Sequence, residues 1–413
     1  MKKLKMMHNV GLYVLASVIP AVFSILINPF VAKNMSPMDY SIVGFYTSFN
    51  LLLTPLVSFY FSHYYSKKYY ESSDEKKVFL KAVIYRLFFF VSSLIAVFSI
   101  VGIALYKVFF NNNSSIPLFP YVFLFVATLF FNCFFMLELN HLKMKREVWA
   151  FFLFSMIQTL LIVLSTFLFV IFFKWGAYGK MLAPLVESIV LFVFILYKNR
   201  SLLFVHIPFS EFPKILSFCY PIVLTAMLGF FTKGFDCILL ERFNNSKEFA
   251  LYTIGMQFSA YLTLLTNALQ NTFQADIYES VAKKNNAKLI KIGMLLFFAS
   301  VFIVLCFVCF APSVIDVLTY GRYTDAAQYA KIMSISIIFS VMFYFVSTIN
   351  VAKGKTMILL VNKIVVSIFA IVIIPFMVQH YMYKGGAVCQ ILVWLFALIS
   401  LLFFSNINLS KRE

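Results

Sequence analysis

The sequence has few charged residues and no long polar segment. Only 12% of its 413 residues are charged, 62% are hydrophobic, and the mean hydropathy is +0.91. A soluble globular chain does not tolerate so apolar a surface. The polar gaps between apolar runs are all shorter than about 20 residues, which leaves no room for a soluble catalytic domain. The composition therefore predicts a polytopic membrane protein whose function is built from helices.

Cysteine and histidine are also scarce, and neither forms a ligand pattern. All six cysteines fall inside apolar runs, so they indicate no disulfide framework. Cys306 and Cys309 have the spacing of a metal or redox pair, but no histidine or second pair lies nearby. The GKT at Gly354–Thr356 lacks the earlier glycine that a phosphate-binding loop requires. No cofactor and no metal site are therefore predicted.

Twelve apolar runs are long enough to cross a bilayer, which takes roughly 20 residues. They start near residues 9, 40, 82, 118, 148, 178, 215, 250, 289, 329, 356 and 385. The basic N-terminus resembles the head of a signal peptide, but the apolar run continues without a cleavage site and is interpreted as the first span.

The basic residues predict the orientation. Gaps on the N-terminal side hold 22 Lys and Arg residues and the opposite gaps hold nine. The positive-inside rule then places both termini in the cytoplasm. The net charge of +18 is spread over short gaps rather than one face, so it does not indicate nucleic-acid binding.

The two halves of the chain resemble each other at a spacing near 208 residues. The segment at 30–53 matches that at 238–262 in character, YYES at 69–72 matches IYES at 277–280, and WGAYGKM at 175–181 matches KGGAVCQ at 384–390. Such a repeat predicts two parallel six-helix lobes related by a pseudo-two-fold axis along the membrane normal. We expect the lobes at 1–200 and 215–413, with a cytoplasmic linker at 201–214.

The apolar run from Ile215 to Leu240 contains two charges, Lys233 and Asp236. Charges at this depth are rare and costly. Because they are three residues apart on a helix, they are expected to share one face. The repeat makes Asp236 the equivalent of Asn28 in the first span. One interpretation is a self-neutralised pair whose lysine reaches outward; the other is a substrate-binding or proton-coupling face on an aqueous cleft between the lobes.

Four further ionisable residues lie within predicted spans. Arg86 and Lys363 are placed near the cytoplasmic ends of their spans. Each side chain either extends to the membrane interface or recognises phosphate in a cleft that faces the cytoplasm. Glu138 is expected to pair with Lys143 in the following loop. Glu187 has no obvious local partner and is a second candidate for ion coupling.

A polar stripe runs along the eighth predicted span. Its members recur at helical spacing: Asn267, Gln270, Asn271 and Gln274. Hydrogen bonds between helices are one explanation, but a continuous stripe is better explained by a wet cavity that binds substrate.

These features together resemble one membrane-protein family. SPMDYSIVGFYTSFNLLL, YPIVLTAMLGFFTKGFDCILLERF and FALYTIGMQFSAYLTLLTNALQNTFQADIYES are similar to the polysaccharide-transporter branch of the multidrug/oligosaccharidyl-lipid/polysaccharide exporter superfamily, the O-antigen and capsule repeat-unit flippases. The resemblance covers essentially the whole chain. Family members often have Arg after the aspartate, where this chain has Cys237, so no basic role is carried over to that position.

The resemblance implies translocation of an undecaprenyl-diphosphate-linked oligosaccharide to the periplasmic leaflet of the bacterial inner membrane. It implies no enzymatic activity, a monomer, and a polysaccharide polymerase and chain-length regulator as partners. A drug-cation antiporter of the same superfamily is the nearest alternative, and an integral membrane polysaccharide polymerase is the other.

Overall fold

The computed structural model describes residues 19–20, 22–69, 72–110, 115–205 and 211–410. All regular structure in these ranges is helical, which confirms the predicted all-α class for them. The predicted start of the first span near residue 9, both termini, and residues 206–210 of the predicted linker lie outside the described residues.

The chain divides into two compact units, Met1–Met227 and Leu228–Glu413. The boundary falls inside helix α10, Glu211–Thr232. The lobes and linker proposed from the repeat remain predictions, as does the symmetry between the lobes.

The first unit consists of helices around an aromatic core. Its helices are α1 (22–34), α2 (Pro37–Ser48), α3 (Asn50–Ser58), α4 (Phe61–Tyr69), α5 (Asp74–Leu87), α6 (Ser93–Phe110), α7 (Tyr121–Met144), α8 (Val148–Thr166) and α9 (Gly176–Lys198). Tyr65, Tyr85 and Phe134 are among its fully buried side chains. Burial of such large rings removes a large apolar area from contact with solvent or lipid.

Asp39 links the start of α2 to the start of α9. Ser36 caps α2 and forms a reciprocal capping box with Asp39. The other carboxylate oxygen of Asp39 accepts a 2.7 Å hydrogen bond from the backbone N–H of Ala177. Gly176 has φ +53° and its Cα faces this carboxylate, so a Cβ there would collide with it. Gly176 and Ala177, in the repeated WGAYGKM segment, thus form a site of close approach between α9 and Asp39.

The second unit contains the remaining helices. They are α11 (Phe235–Glu241), α12 (Ser246–Ala282), α13 (Asn286–Thr319), α14 (Ala327–Ala352) and α15 (Thr356–Ser410). Helix α15 is interrupted at Met382, whose backbone is not helical. Asn245 caps α12 by accepting from the N–H of Glu248, as Ser36 does from Asp39 in α2. Both cap residues and both acids are separated by 209 residues, so this local geometry recurs at the spacing of the sequence repeat.

Within the described residues, eight helices are long and apolar enough to cross a membrane, or nine if the bent pair α2 and α3 forms one span. Helix α12 is not among them although it has 37 residues, and the stretch across the Met382 break counts once. A polytopic helical membrane protein is confirmed, whereas the count of twelve spans remains a prediction.

Candidate functional site

The apolar run that carries Lys233 and Asp236 is not one helix. Helix α10 ends at Thr232, and α11 begins at Phe235. Gly234 lies between them with φ +117°, a conformation that glycine adopts without the steric cost other residues incur. The expectation that Lys233 and Asp236 share one helix face is therefore wrong, because the helical spacing is broken between them.

Asp236 is held by hydrogen bonds rather than by a lysine. It is 2% exposed, and its Oδ1 accepts from the N–H of Gly234 at 3.0 Å. Its Oδ2 accepts from the hydroxyl of Tyr252 and from Nε2 of Gln390 at 3.3 Å. A buried carboxylate needs such donors to offset its lost hydration. Asp236 thereby joins α11 to α12 and to the second part of α15.

The side chain of Lys233 turns to an aromatic ring. Its Nζ lies 5.2 Å from the ring centroid of Trp394 on α15. Among the described residues, neither Asp236 nor another carboxylate is within ion-pairing distance of this ammonium group. The self-neutralised pair considered from the sequence is thus absent from the described part of the chain.

Lys363 reaches the same break from α15. Its Nζ lies 3.5 Å from Oγ1 of Thr232, and a Cβ on Gly229 would lie 3.7 Å from that Nζ. Thr232 directly precedes Lys233 in the chain, so both lysines lie at the same helix break. We call Lys233, Lys363, Thr232 and Trp394 the dibasic site. Their sequence positions placed the two lysines at different depths in their spans, whereas the structure brings them together.

The dibasic site has the chemistry of an anion site. Both lysine side chains are half-buried, and no described carboxylate neutralises either one. Two like charges in apolar surroundings repel each other and lose hydration. A ligand with two negative charges offsets both the repulsion between the lysines and their lost hydration. Lys is also a common point-charge partner of phosphate.

Two charged residues of the first unit have structural contacts. Arg86 donates from Nη2 to the carbonyl of Val205 at 2.8 Å, at the end of a short 3₁₀ helix. Glu138 is bound by Lys81 at 2.5 Å and Lys198 at 3.1 Å. The expected pairing of Glu138 with Lys143 is wrong, because α5 and α9 place these other lysines beside α7.

Glu187 is a buried carboxyl group on α9. It is 3% exposed. Its Oε1 has no partner among the described residues. Asn28 on α1 is also buried, at 6% exposure, and makes a polar contact. The equivalence of Asn28 and Asp236 remains a prediction from the repeat.

The polar stripe of α12 lies on an open face. The side chains of Asn267, Asn271 and Gln274 are exposed, and that of Gln270 is half-buried. A face this polar and open needs either water or a polar ligand beside it. The stripe is separate from the contacts that hold Asp236 and Lys233.

The sequence analysis did not identify the residues that contact Asp236 and Lys233. Tyr252 and Trp394 decide how Asp236 and Lys233 are held, and neither was singled out. The one available signal was scarcity, since the chain has three tryptophans and only Trp394 is buried.

Known proteins share both the sequence pattern and the fold. A family model described as "Polysaccharide biosynthesis protein" matches residues 6–273, which include Lys233 and Asp236. The chain belongs to this family. The resemblance drawn from the sequence is thereby confirmed. No curated relative matches the sequence of this family member.

Solved structures show which fold the chain has. It is similar to "Lipid II flippase MurJ, inward closed conformation", with TM-score 0.76 and 16% identity over 95% of this chain and 87% of that chain. It is also similar to an inward-facing multidrug resistance MATE family transporter of the MOP superfamily, with TM-score 0.72 and 14% identity over 95% of each chain. A mutant of the Vibrio cholerae MATE transporter VcmN aligns at TM-score 0.59 and 14% identity over 97% of this chain and 95% of its own. The chain therefore shares the fold of these flippase and MATE structures.

Proposed function

We propose that this protein is a flippase that moves an undecaprenyl-diphosphate-linked oligosaccharide from the cytoplasmic to the periplasmic leaflet, for O-antigen or capsular polysaccharide synthesis. The observation that carries the proposal is the dibasic site. Two lysines without carboxylate partners among the described residues lie at one helix break, and a diphosphate supplies the negative charge that neutralises them. The family and the fold shared with a lipid II flippase support the same conclusion.

The substrate has three parts with different requirements. The diphosphate binds Lys233 and Lys363, and the sugars contact the polar stripe of α12. The polyprenyl chain stays in lipid, where the numerous exposed apolar side chains of the helices are also accommodated. Movement follows alternating access between two six-helix lobes, with twelve spans and the lobe limits given by the sequence repeat.

Asp236 and Glu187 remain the proposed coupling residues. Asp236 already accepts three hydrogen bonds, so a coupling ion has to displace or share a donor there. Glu187 offers a carboxylate oxygen that no described residue contacts. We propose a monomer in the bacterial inner membrane with both termini cytoplasmic, working beside a polysaccharide polymerase and a chain-length regulator.

Export of surface polysaccharide tests the proposal in cells whose only repeat-unit flippase is this protein. Lys233→Ala and Lys363→Ala are each expected to abolish export at normal protein level, and Lys233→Arg to retain part of it because the charge is kept. Lys291→Ala is the matched control, since Lys291 is an exposed lysine on α13 and its loss changes the net charge equally. Full export by both alanine variants at Lys233 and Lys363 would exclude the dibasic site from the mechanism.

A drug-cation antiporter is the second candidate function, favoured by the fold shared with MATE family transporters. A cationic drug needs an unoccupied carboxylate, whereas the dibasic site repels it. Drug-resistance assays distinguish the two functions: the antiporter requires Glu187 or Asp236 and tolerates loss of the lysines. An integral membrane polymerase is the less favoured alternative, because the similar solved structures are a lipid II flippase and a multidrug transporter.

A further inference from the structure

The partner of Lys233 is a neutral ring. By contrast, the most buried lysine among the described residues of the first unit is paired with a carboxylate. Lys81 is 5% exposed and is paired with Glu138 at 2.5 Å. The indole of Trp394 is 8% exposed and lies beneath the Lys233 ammonium group. Trp is the strongest cation–π partner among the aromatic residues.

This difference determines what the lysine can bind. A carboxylate neutralises the ammonium group and competes with any anionic ligand for it. An indole face lowers the cost of burying the charge but leaves the net charge in place. Lys233 is therefore held in position and remains available to an anion.

The indole plane is itself fixed by a second layer of rings. Phe343 of α14 meets Trp394 edge-on at a centroid distance of 5.6 Å, and Tyr344 lies at 5.7 Å. The position of the ammonium group thus depends on packing between α14 and the second part of α15. Gln390, which donates to Asp236, lies four residues before Trp394 on the same part of α15, so both contacts depend on the placement of that helix.

We propose that Trp394 is a positioning residue that holds Lys233 ready to bind a diphosphate, and that its indole senses occupancy of the dibasic site. The inference rests on the proposed function for the nature of the anion. An anion would bind the same ammonium group that lies over the ring. Binding of the anion therefore changes the electric field at the indole.

The test uses inorganic pyrophosphate as the probe and the purified full chain in detergent. In a Trp149→Phe/Trp175→Phe background, Trp394 is the one remaining tryptophan. Its emission is expected to shift saturably with pyrophosphate, with the same Kd that calorimetry gives, and Lys233→Ala is expected to abolish the shift.

A double-mutant cycle separates positioning from general packing. Trp394→Leu is expected to weaken pyrophosphate binding roughly tenfold, and Trp394→Phe by less, since phenylalanine is a weaker cation–π partner. In a Lys233→Ala background, Trp394→Leu is expected to cause no further loss of the residual binding to Lys363. Trp149→Leu, at an exposed ring, is the control and should leave the Kd unchanged.

The outcomes are distinguishable. If pyrophosphate binds through Lys233 but Trp394→Leu does not change the Kd, or weakens binding equally in both backgrounds, Trp394 has only a packing role and the inference is refuted while the proposed function stands. If calorimetry detects no pyrophosphate binding to the parent protein, the diphosphate site fails and the inference fails with it.

Discussion

Replacing Glu138 by alanine is expected to destabilise the first unit, because the change leaves a buried ammonium group without its counter-ion. The carboxylate is 1% exposed and lies 2.5 Å from Nζ of Lys81, whose side chain is 7% exposed. Asn199 is the other partner of that ammonium group, through Oδ1 at 3.0 Å, and it supplies no charge. Removing one partner of a buried ion pair costs about 3–5 kcal/mol. We expect a loss of this size in the free energy of unfolding.

A matched variant tests the second ion pair of Glu138, which is exposed. Lys198 also binds Glu138, at 3.1 Å, but its side chain is 52% exposed. Because water can replace most of this contact, Lys198→Ala is expected to cost less than about 1 kcal/mol. The double variant Lys81→Met/Glu138→Leu removes both buried charges and is expected to recover most of the stability lost in Glu138→Ala.

The measurement is the fraction of monodisperse protein that survives heating in detergent, followed by size-exclusion chromatography for the parent and the three variants. The order of midpoints should be parent and Lys198→Ala highest, then the double variant, and Glu138→Ala lowest. A midpoint for Glu138→Ala equal to that of Lys198→Ala would refute the reasoning, since burial would then have no energetic consequence at this site.

Three further predictions concern other parts of the proposed mechanism. Gly234→Ala should lower the thermal midpoint and export together, because alanine is strained at φ +117°; unchanged stability would show that the break relaxes freely. Glu187→Gln should keep the fold, because glutamine fills the same space, and should stop export if the carboxyl carries the coupling ion; normal export would remove it from coupling. In a background without native cysteines, Asn271→Cys should react with a charged thiol reagent, whereas Leu265→Cys, exposed but apolar, should not; equal reactivity would contradict a wet polar stripe.

The amino-acid sequence was sufficient to predict the class of protein and its family. Apolar runs predicted helices that the structure contains, and the capping residues Ser36 and Asn245 recur at the repeat spacing. These features are local, because caps and hydropathy depend on a few neighbouring residues. The same locality explains why the sequence identifies the charged residues as unusual without identifying their partners.

Contacts between residues far apart in the sequence could not be predicted from local patterns. The position of Lys363 in its span predicted a place near the cytoplasmic end. Lys233 was separately assigned to one uninterrupted apolar helix. Gly234 breaks that helix, and Thr232 then meets a residue 131 positions away. Helical spacing cannot describe two side chains on opposite sides of a break.

Lys81 and Lys233 differ in the structure by the partner that each ammonium group contacts. The hydropathy pattern places Lys81 in a loop, yet it is buried in α5 and its charge is neutralised by Glu138. The spacing of Lys233 from Asp236 suggests a neutralised pair, yet its neighbour is an indole that leaves its charge intact. A lysine already paired with a carboxylate has to lose that partner before it can bind a phosphate, whereas one held by a ring does not. We therefore base the proposal that Lys233 meets the substrate on the partner of each lysine more than on its depth.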